Sequence, residues 1–249
     1  MPQFFISNEN VTENKVLITS RNDINHIANV LRFKKGDKLI LTQAESYIYE
    51  VEISEIKPDL IETLILDKYE HTRKLTIDIT LAQSILKSQK QDIVIQKATE
   101  LGASTIIPVI SRNTVVKLVS ERDKEQKIQR WEKIACESAK QCQRSNIPKI
   151  SRIISINELI ELNNFDVKLV CAEKEAQYLI KEFLSQHKEN ITKNSRILVI
   201  IGPEGGWDDK ELELFKSKNI ATVSLGNLIL RAETASITAI SDIIYEYEL

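Results

Sequence analysis

The run Ile197-Leu198-Val199-Ile200-Ile201-Gly202-Pro203-Glu204-Gly205-Gly206-Trp207 decides how this chain reads, together with Ala221-Thr222-Val223-Ser224-Leu225-Gly226-Asn227-Leu228-Ile229-Leu230-Arg231 further on. Each begins as a short apolar run of strand length and ends in glycine. A polar helix separates them, and another helix opens near Glu233. The chain has only six glycines, and four of them lie between Gly202 and Gly226. Glycine is used where the backbone needs a left-handed conformation or where no Cβ may intrude. The clustering therefore predicts two tight turns at the ends of two buried strands, where open α/β sheets bind ligands.

The residues after the first turn narrow the ligand. Asp208 as N-cap with Glu211 three residues on is a capping box. A helix N-terminus attracts phosphate, but this one already carries Asp208, Asp209 and Glu211. No Lys-Ser/Thr pair of a P-loop follows, and Gly202 to Gly206 does not fit G-x-G-x-x-G. A neutral or cationic ligand held by backbone groups suits the turn better than a phosphate. Spacing alone also allows two ordinary tight turns with no ligand.

Outward from this stretch, the chain is α/β from Leu75 onward. Leu75 to Ala82 alternates as a strand, Ile85 to Leu101 carries apolar positions on one helical face, Gly102 ends that helix, and Thr105 to Ile110 is a second strand. Strand, helix, strand predicts a βαβ unit and a parallel sheet. A charged helix is expected over about 121–145, a strand over Val167 to Ala172, and a helix around Ala176 to His187. The closing helix, Glu233 to Glu246, is expected to bury Ile237, Ile240, Ile244 and Tyr247. Residues 1 to 70 read differently. Val16-Leu17-Ile18, Lys38 to Leu41, Tyr47 to Ile53 and Leu60 to Leu66 are strands, a short helix covers Asp23 to Leu31, and Lys35-Gly36-Asp37 is a turn. The spacing suggests a small β-barrel, joined through a polar linker at 66–74 to a second domain over 71–249.

Ile201-Gly202-Pro203-Glu204-Gly205-Gly206, then Leu225-Gly226, then Leu230-Arg231-Ala232-Glu233-Thr234-Ala235 resembles the C-terminal signature of the SPOUT methyltransferases. The branch it is most similar to is the ribosomal RNA small subunit methyltransferase E family, which methylates uridine N3 in 16S ribosomal RNA. Gln96-Lys97-Ala98-Thr99-Glu100-Leu101-Gly102-Ala103 matches the family's middle motif, and His26 to Asp37 resembles its PUA-like RNA-binding module. The resemblance implies a trefoil knot in the C-terminal half, a homodimer, and an S-adenosyl-L-methionine site. Backbone groups around Leu225, Gly226 and Leu230 would hold the adenine, and Gly202, Gly205 and Gly206 would admit the ribose and methionine part. Ile201, Pro203, Glu204, Thr234 and Ala235 complete the expected cofactor set. Arg231 is the first candidate to stabilise charge on the uridine carbonyls, and Glu204 or Glu233 could accept a proton or offset the sulfonium charge. Arg32, Lys34, Lys35, Arg112, Arg144 and Lys149 are candidates for RNA phosphate; the same cations can also serve as solvated helix ends. Two positions depart from the family. Asn113 stands where an arginine is usual, with Arg112 beside it, and Lys140 replaces a glutamate.

Composition bounds the rest. The net charge is −2, so no global field announces a nucleic-acid partner. Residues 1 to 70 hold 8 Lys+Arg against 12 Asp+Glu, so any RNA contact must use local basic patches. Cys136, Cys142 and Cys171 form no C-x-x-C pair and His26, His71 and His187 are dispersed, so no metal site is expected and a reduced, cytoplasmic compartment fits. The N-terminus lacks a signal peptide's pattern and no run is long enough to span a membrane. The rival readings are a non-catalytic RNA-binding or ribosome-assembly protein on the same fold, and an enzyme using a nucleotide phosphate. The acidic helix start argues against the second.

Overall fold

The computed structural model describes residues 1–44, 46–72, 74–118 and 120–249. Its backbone contacts divide the chain into two compact units, Met1–Lys74 with Ala139–Ile147, and Leu75–Ser138 with Pro148–Leu249.

The first unit is built on strands β1 (Gln3–Ile6), β2 (Lys15–Ile18), β3 (Lys38–Gln43), β4 (Tyr47–Ile56) and β5 (Ile61–Glu70), in the order β1-β3-β4-β5-β2. Only β1 with β3 is parallel. Register shifts between Glu50/Val51 and Ile53/Glu55 bend the long β4–β5 pair, as bulges do. The bent sheet encloses Phe4, Val16, Ile27, Leu39, Tyr49 and Ile61. Strand β1 is missing from the sequence reading, because four residues are too few for alternation to show. The expected linker is shorter than 66–74. β5 continues to Glu70, its last residues exposed but paired to β4, so a polar composition hides a strand held by its backbone ladder; Arg73 lies outside the described residues. The expected helix at 23–31 is a short helix α1 (Arg21–Asn25), capped by Ser20, that widens into one π-turn over His26–Val30.

The second unit carries β6 (Asp78–Ser84), α2 (Ser88–Glu100), β7 (Thr105–Ile110), α3 (Glu121–Gln141), β8 (Lys149–Ile150), β9 (Ile154–Ser155), α4 (Ile156–Ile160), β10 (Val167–Cys171), β11 (Tyr178–Leu179), α5 (Ile180–His187), β12 (Arg196–Ile201), α6 (Asp209–Ser217), β13 (Ala221–Ser224) and α7 (Ala232–Glu248). All pairings of its eight-stranded sheet are parallel, in the order β11-β13-β10-β12-β6-β7-β8, with β9 beside β7. Central β12 is apolar on both faces because both are covered. Ile197, Val199 and Ile201 join the core that includes residues of α2, α5 and α7, while Leu198 and Ile200 join the core that includes residues of α4 and α6.

One expected face is corrected. Helix α7 buries Ser236, Ala239, Ile240 and Ile243, with Ile244 and Tyr247 packed at the edge, and leaves Ile237 half-exposed. The small residues Ser236 and Ala239 are completely covered on this face. The Ser236 hydroxyl is tied to the fully buried Gln83 of β6. Apolarity alone favours Ile237; close packing and this buried polar bond select its smaller neighbour. Glu248 closes the far end of α7, accepting from the Thr76 N–H, the Thr76 hydroxyl at 2.9 Å and the Ile77 N–H at 2.9 Å.

Candidate active site

The neighbouring strands β12, β10 and β13 end side by side at Ile201, Cys171 and Ser224. The turns that leave them, with the loop ahead of α7, enclose a cavity of about 760 Å³. This lies within the range of about 300–1,000 Å³ usual for small-molecule sites. The whole turn 201–206 lines it, with Leu225, Gly226, Leu230, Arg231 and Ala235. Thr234 is not on the wall and is exposed. Glu233 also stands off the wall, although its carboxylate reaches Lys90 at 3.9 Å.

The four glycines divide into two kinds. Gly206 (φ +71°) and Gly226 (φ +124°) are there for backbone conformation, with open space where a Cβ would lie. Gly202 and Gly205 are there because other side chains come close. A Cβ on Gly202 would lie 3.1 Å from the Trp207 ring, and one on Gly205 would lie 3.2 Å from Cβ of Asn113. The space that the resemblance assigns to ligand at these two positions is therefore filled by the protein, and what they present to the cavity is backbone. Trp207 donates its Nε1–H to the Cys171 carbonyl at 2.8 Å and packs edge-on against Phe215. The first turn is thereby pinned to β10 and α6. Beneath it, Gln83 donates to the Gly202 carbonyl at 3.2 Å.

The segment after β7 braces the turn from the other side. Asn113 Nδ2 donates to the Gly206 carbonyl at 3.1 Å and, more weakly, to that of Gly205 at 3.4 Å. The Arg112 N–H donates to Glu211 Oε1 at 2.8 Å, and its guanidinium pairs with Asp208 at 3.1 Å. Asp208 and Glu211 also form the expected capping box of α6. In this chain, then, the residue replacing the family arginine latches the glycine turn, and Arg112 is engaged with the start of α6.

The partly buried charges beside the cavity form one group, Lys90, Glu204 and Glu233. Glu204 and Glu233 each hold a buried carboxylate oxygen, Oε2, with no hydrogen-bond partner among the described residues. The other Glu204 oxygen accepts from the Lys87 N–H at 3.1 Å. Lys90 Nζ stands 3.6 Å from Glu204 and 3.9 Å from Glu233. An unpaired buried carboxylate oxygen is costly unless something donates to it or offsets its charge. Arg231 is the N-cap residue of α7. Its side chain is exposed, with no ion pair among the described residues. Cys171 reaches the wall, but burial, and to a lesser degree the charge of Asp242, push its thiol up to about 12, which removes it as a nucleophile.

Lys90 and the roles of Trp207 and Asn113 are absent from the sequence reading. A signal for Lys90 existed. Parallel strands put their carboxyl ends on one side, so the loop after β6 had to arrive beside the turn after β12.

The six basic candidates fall in both units. Arg32, Lys34 and Lys35 are exposed around the turn at Gly36, where Asp37 accepts from the Lys34 N–H. Arg144 belongs to the first unit. Its side chain donates to Asn146 at 3.0 Å, its carbonyl accepts from Gln3 at 2.8 Å, and burial lowers its pKa from the usual guanidinium value. That placement gives Arg144 a structural role. Lys149 is exposed at the start of β8. Lys140, the other departure, pairs with Asp23 at 2.8 Å and lies over the Phe4 ring. Among the described residues, no cluster of His, Cys, Asp and Glu could hold a metal ion, and no helix is long and apolar enough to cross a membrane.

Comparison with known proteins gives a consistent set. The family model for an RNA methyltransferase domain matches residues 73–244, and that for an RNA methyltransferase PUA domain matches residues 18–66. Ribosomal RNA small subunit methyltransferase E of Bacillus subtilis (strain 168) is 31% identical over 252 residues, covering 100% of this chain and 98% of that protein. The Mesomycoplasma hyopneumoniae (strain 232) protein of the same name is 34% identical over 239 residues, covering 95% and 96%. Among solved structures, ribosomal RNA small subunit methyltransferase E from Neisseria gonorrhoeae bound to S-adenosyl methionine aligns with a TM-score of 0.84 at 27% identity, over 99% of this chain and 98% of that one.

Proposed function

Because the chain belongs to the ribosomal RNA small subunit methyltransferase E family of RNA methyltransferases, we propose that it transfers a methyl group to N3 of a uridine in 16S ribosomal RNA. It is an S-adenosylmethionine-dependent ribosomal RNA methyltransferase with a PUA domain ahead of a parallel α/β domain. The target atom, the site residues, the trefoil knot, the homodimer, the cytoplasmic location and the division into a PUA-like module over 1–70 and a methyltransferase domain over 71–249 are part of the proposal.

The observation that carries it is a cavity at the strand ends with buried carboxylate oxygens on Glu204 and Glu233 beside it that accept no hydrogen bond among the described residues. A cationic adenosyl ligand fits that donor set better than a phosphate does, for the acidic start of α6 flanks the same turn. The backbone of 201–206 and of Leu225, Gly226 and Leu230 would hold it, with Ala235 against it. When bound, S-adenosylmethionine supplies an electrophilic methyl carbon on a sulfonium.

The chain's own residues supply positioning and charge, which is most of what methyl transfer needs. N3 of uridine is a weak acid whose proton must leave before or during attack, and charge then spreads to the flanking carbonyls. The exposed guanidinium of Arg231 is free to meet those oxygens and stabilise them. Glu204 or Glu233 accepts the proton or balances the sulfonium. The target base must unstack to reach the cavity, which favours a loop or junction in the RNA.

The test is mass mapping of nucleosides in 16S ribosomal RNA from cells lacking the protein, before and after incubation with it and the methyl donor. Appearance of one 3-methyluridine is expected. RNA binding with no new methylated nucleoside would favour the non-catalytic reading and overturn this one.

A further inference from the structure

Lys90 stands in the first turns of α2, on the cavity wall, and reaches toward carboxylates from two other segments, the glycine turn and the start of α7. Its Nζ is 3.6 Å from Glu204 Oε1 and 3.9 Å from Glu233 Oε2, too far for a hydrogen bond to either. The three side chains are 38%, 19% and 14% exposed. One ammonium between two such carboxylates leaves a local charge of −1. The other charged residues of the wall, Glu173, Lys174, Asp209 and Arg231, are all exposed, so water screens them. The Lys87 N–H on Glu204 and the N-terminus of α7 beside Glu233 contribute only partial positive charge, so an occupant of the cavity is the further offset available to this pair.

Resting on the methyl-donor reading above, we infer that Lys90 is a positioning residue that sets how strongly the cavity discriminates its cationic ligand from the neutral thioether left after transfer. The donor carries a sulfonium and a net charge one unit more positive than the product, and the two otherwise share their atoms. Lys90 draws Glu204 and Glu233 toward one point and cancels one of their two charges. With both carboxylates uncompensated, the cavity would grip the sulfonium harder relative to the thioether. With a second cation in place, the product would compete better and leave more slowly relative to the donor. A single lysine holds the middle value.

The experiment is calorimetric measurement of the dissociation constants of S-adenosylmethionine and S-adenosylhomocysteine for the wild type, Lys90→Met, Lys90→Gln and Lys90→Arg, with melting curves to establish that each is folded. A unit charge several ångströms away at an effective dielectric constant of about 20 changes a binding constant by roughly tenfold or more, and the lysine's partial exposure discounts that to about fivefold. Lys90→Met and Lys90→Gln should therefore raise the preference for the sulfonium ligand by about fivefold, and Lys90→Arg should hold it close to the wild-type value. A loss of affinity shared equally by both ligands in the Met and Gln variants would make Lys90 merely structural and overturn the inference while leaving the methyl-donor reading intact. Wild-type protein that binds neither ligand would overturn both.

Discussion

Gly205→Val tests whether the glycine turn is held by its neighbours. The added Cβ would start 3.2 Å from Cβ of Asn113, tighter than ordinary contact, and the valine methyls would extend the clash. Backbone strain plays no part, because the Gly205 φ lies outside the left-handed region. Asn113 must swing away, and its side chain then loses its bonds to the carbonyls of Gly206 at 3.1 Å and Gly205 at 3.4 Å. A side-chain bond of this kind contributes about 1 kcal/mol net, and the longer one less, so the turn loses about 1.5 kcal/mol of bracing. If the ligand binds only the braced turn, apparent affinity scales with the fraction of time the turn is braced, which a loss of about 1.5 kcal/mol lowers by up to roughly tenfold. Calorimetry with S-adenosylmethionine on Gly205→Val, Asn113→Ala and the double variant measures this. Each single variant should weaken binding by about tenfold, and the double should be no worse than Gly205→Val, because both remove the same bonds. Losses that multiply to about a hundredfold, or Gly205→Val binding as the wild type does, would refute the reasoning.

Arg231→Ala should abolish methyl transfer to ribosomal RNA and leave the melting temperature unchanged, since the side chain is exposed and, among the described residues, unpaired; wild-type turnover would remove Arg231 from the mechanism. Glu248→Ala should destabilise the fold by about 2 kcal/mol, because three donors at Thr76 and Ile77 lose one shared acceptor at the surface; denaturant melts would detect it. The Ser155 backbone N–H, then Arg152 and the Ser155 hydroxyl, hold the Glu158 carboxyl at about 2, below its usual 4.5. A depressed carboxylate stabilises the fold above the unfolded value and loses that contribution as pH falls through the folded one. Glu158→Gln should therefore melt lower than the wild type at neutral pH and converge with it between about pH 4.5 and about 2; a constant gap down to the lower limit would mean that charge is not the cause.

Much of this protein was legible residue by residue. Continuous apolar runs such as Ile197 to Ile201 announce strands covered on both faces, and the Asp208–Glu211 capping box announces α6, because these signals are local. Motifs were enough for the family as well, since the glycine turns and Arg231 stand at a specific spacing. What folding in three dimensions added is everything that depends on which segments meet. No spacing tells that Gly202 yields to Trp207 and Gly205 to Asn113, or that Lys90 stands between Glu204 and Glu233. Nor does apolarity tell that α7 turns Ser236 rather than Ile237 inward. Apart from Gly202 and Trp207, which share one turn, those partners lie tens of residues or more apart along the chain, where periodicity carries no information. They are chosen by the order of parallel strands, by the volume left between them, and by the requirement that buried polar groups find one another.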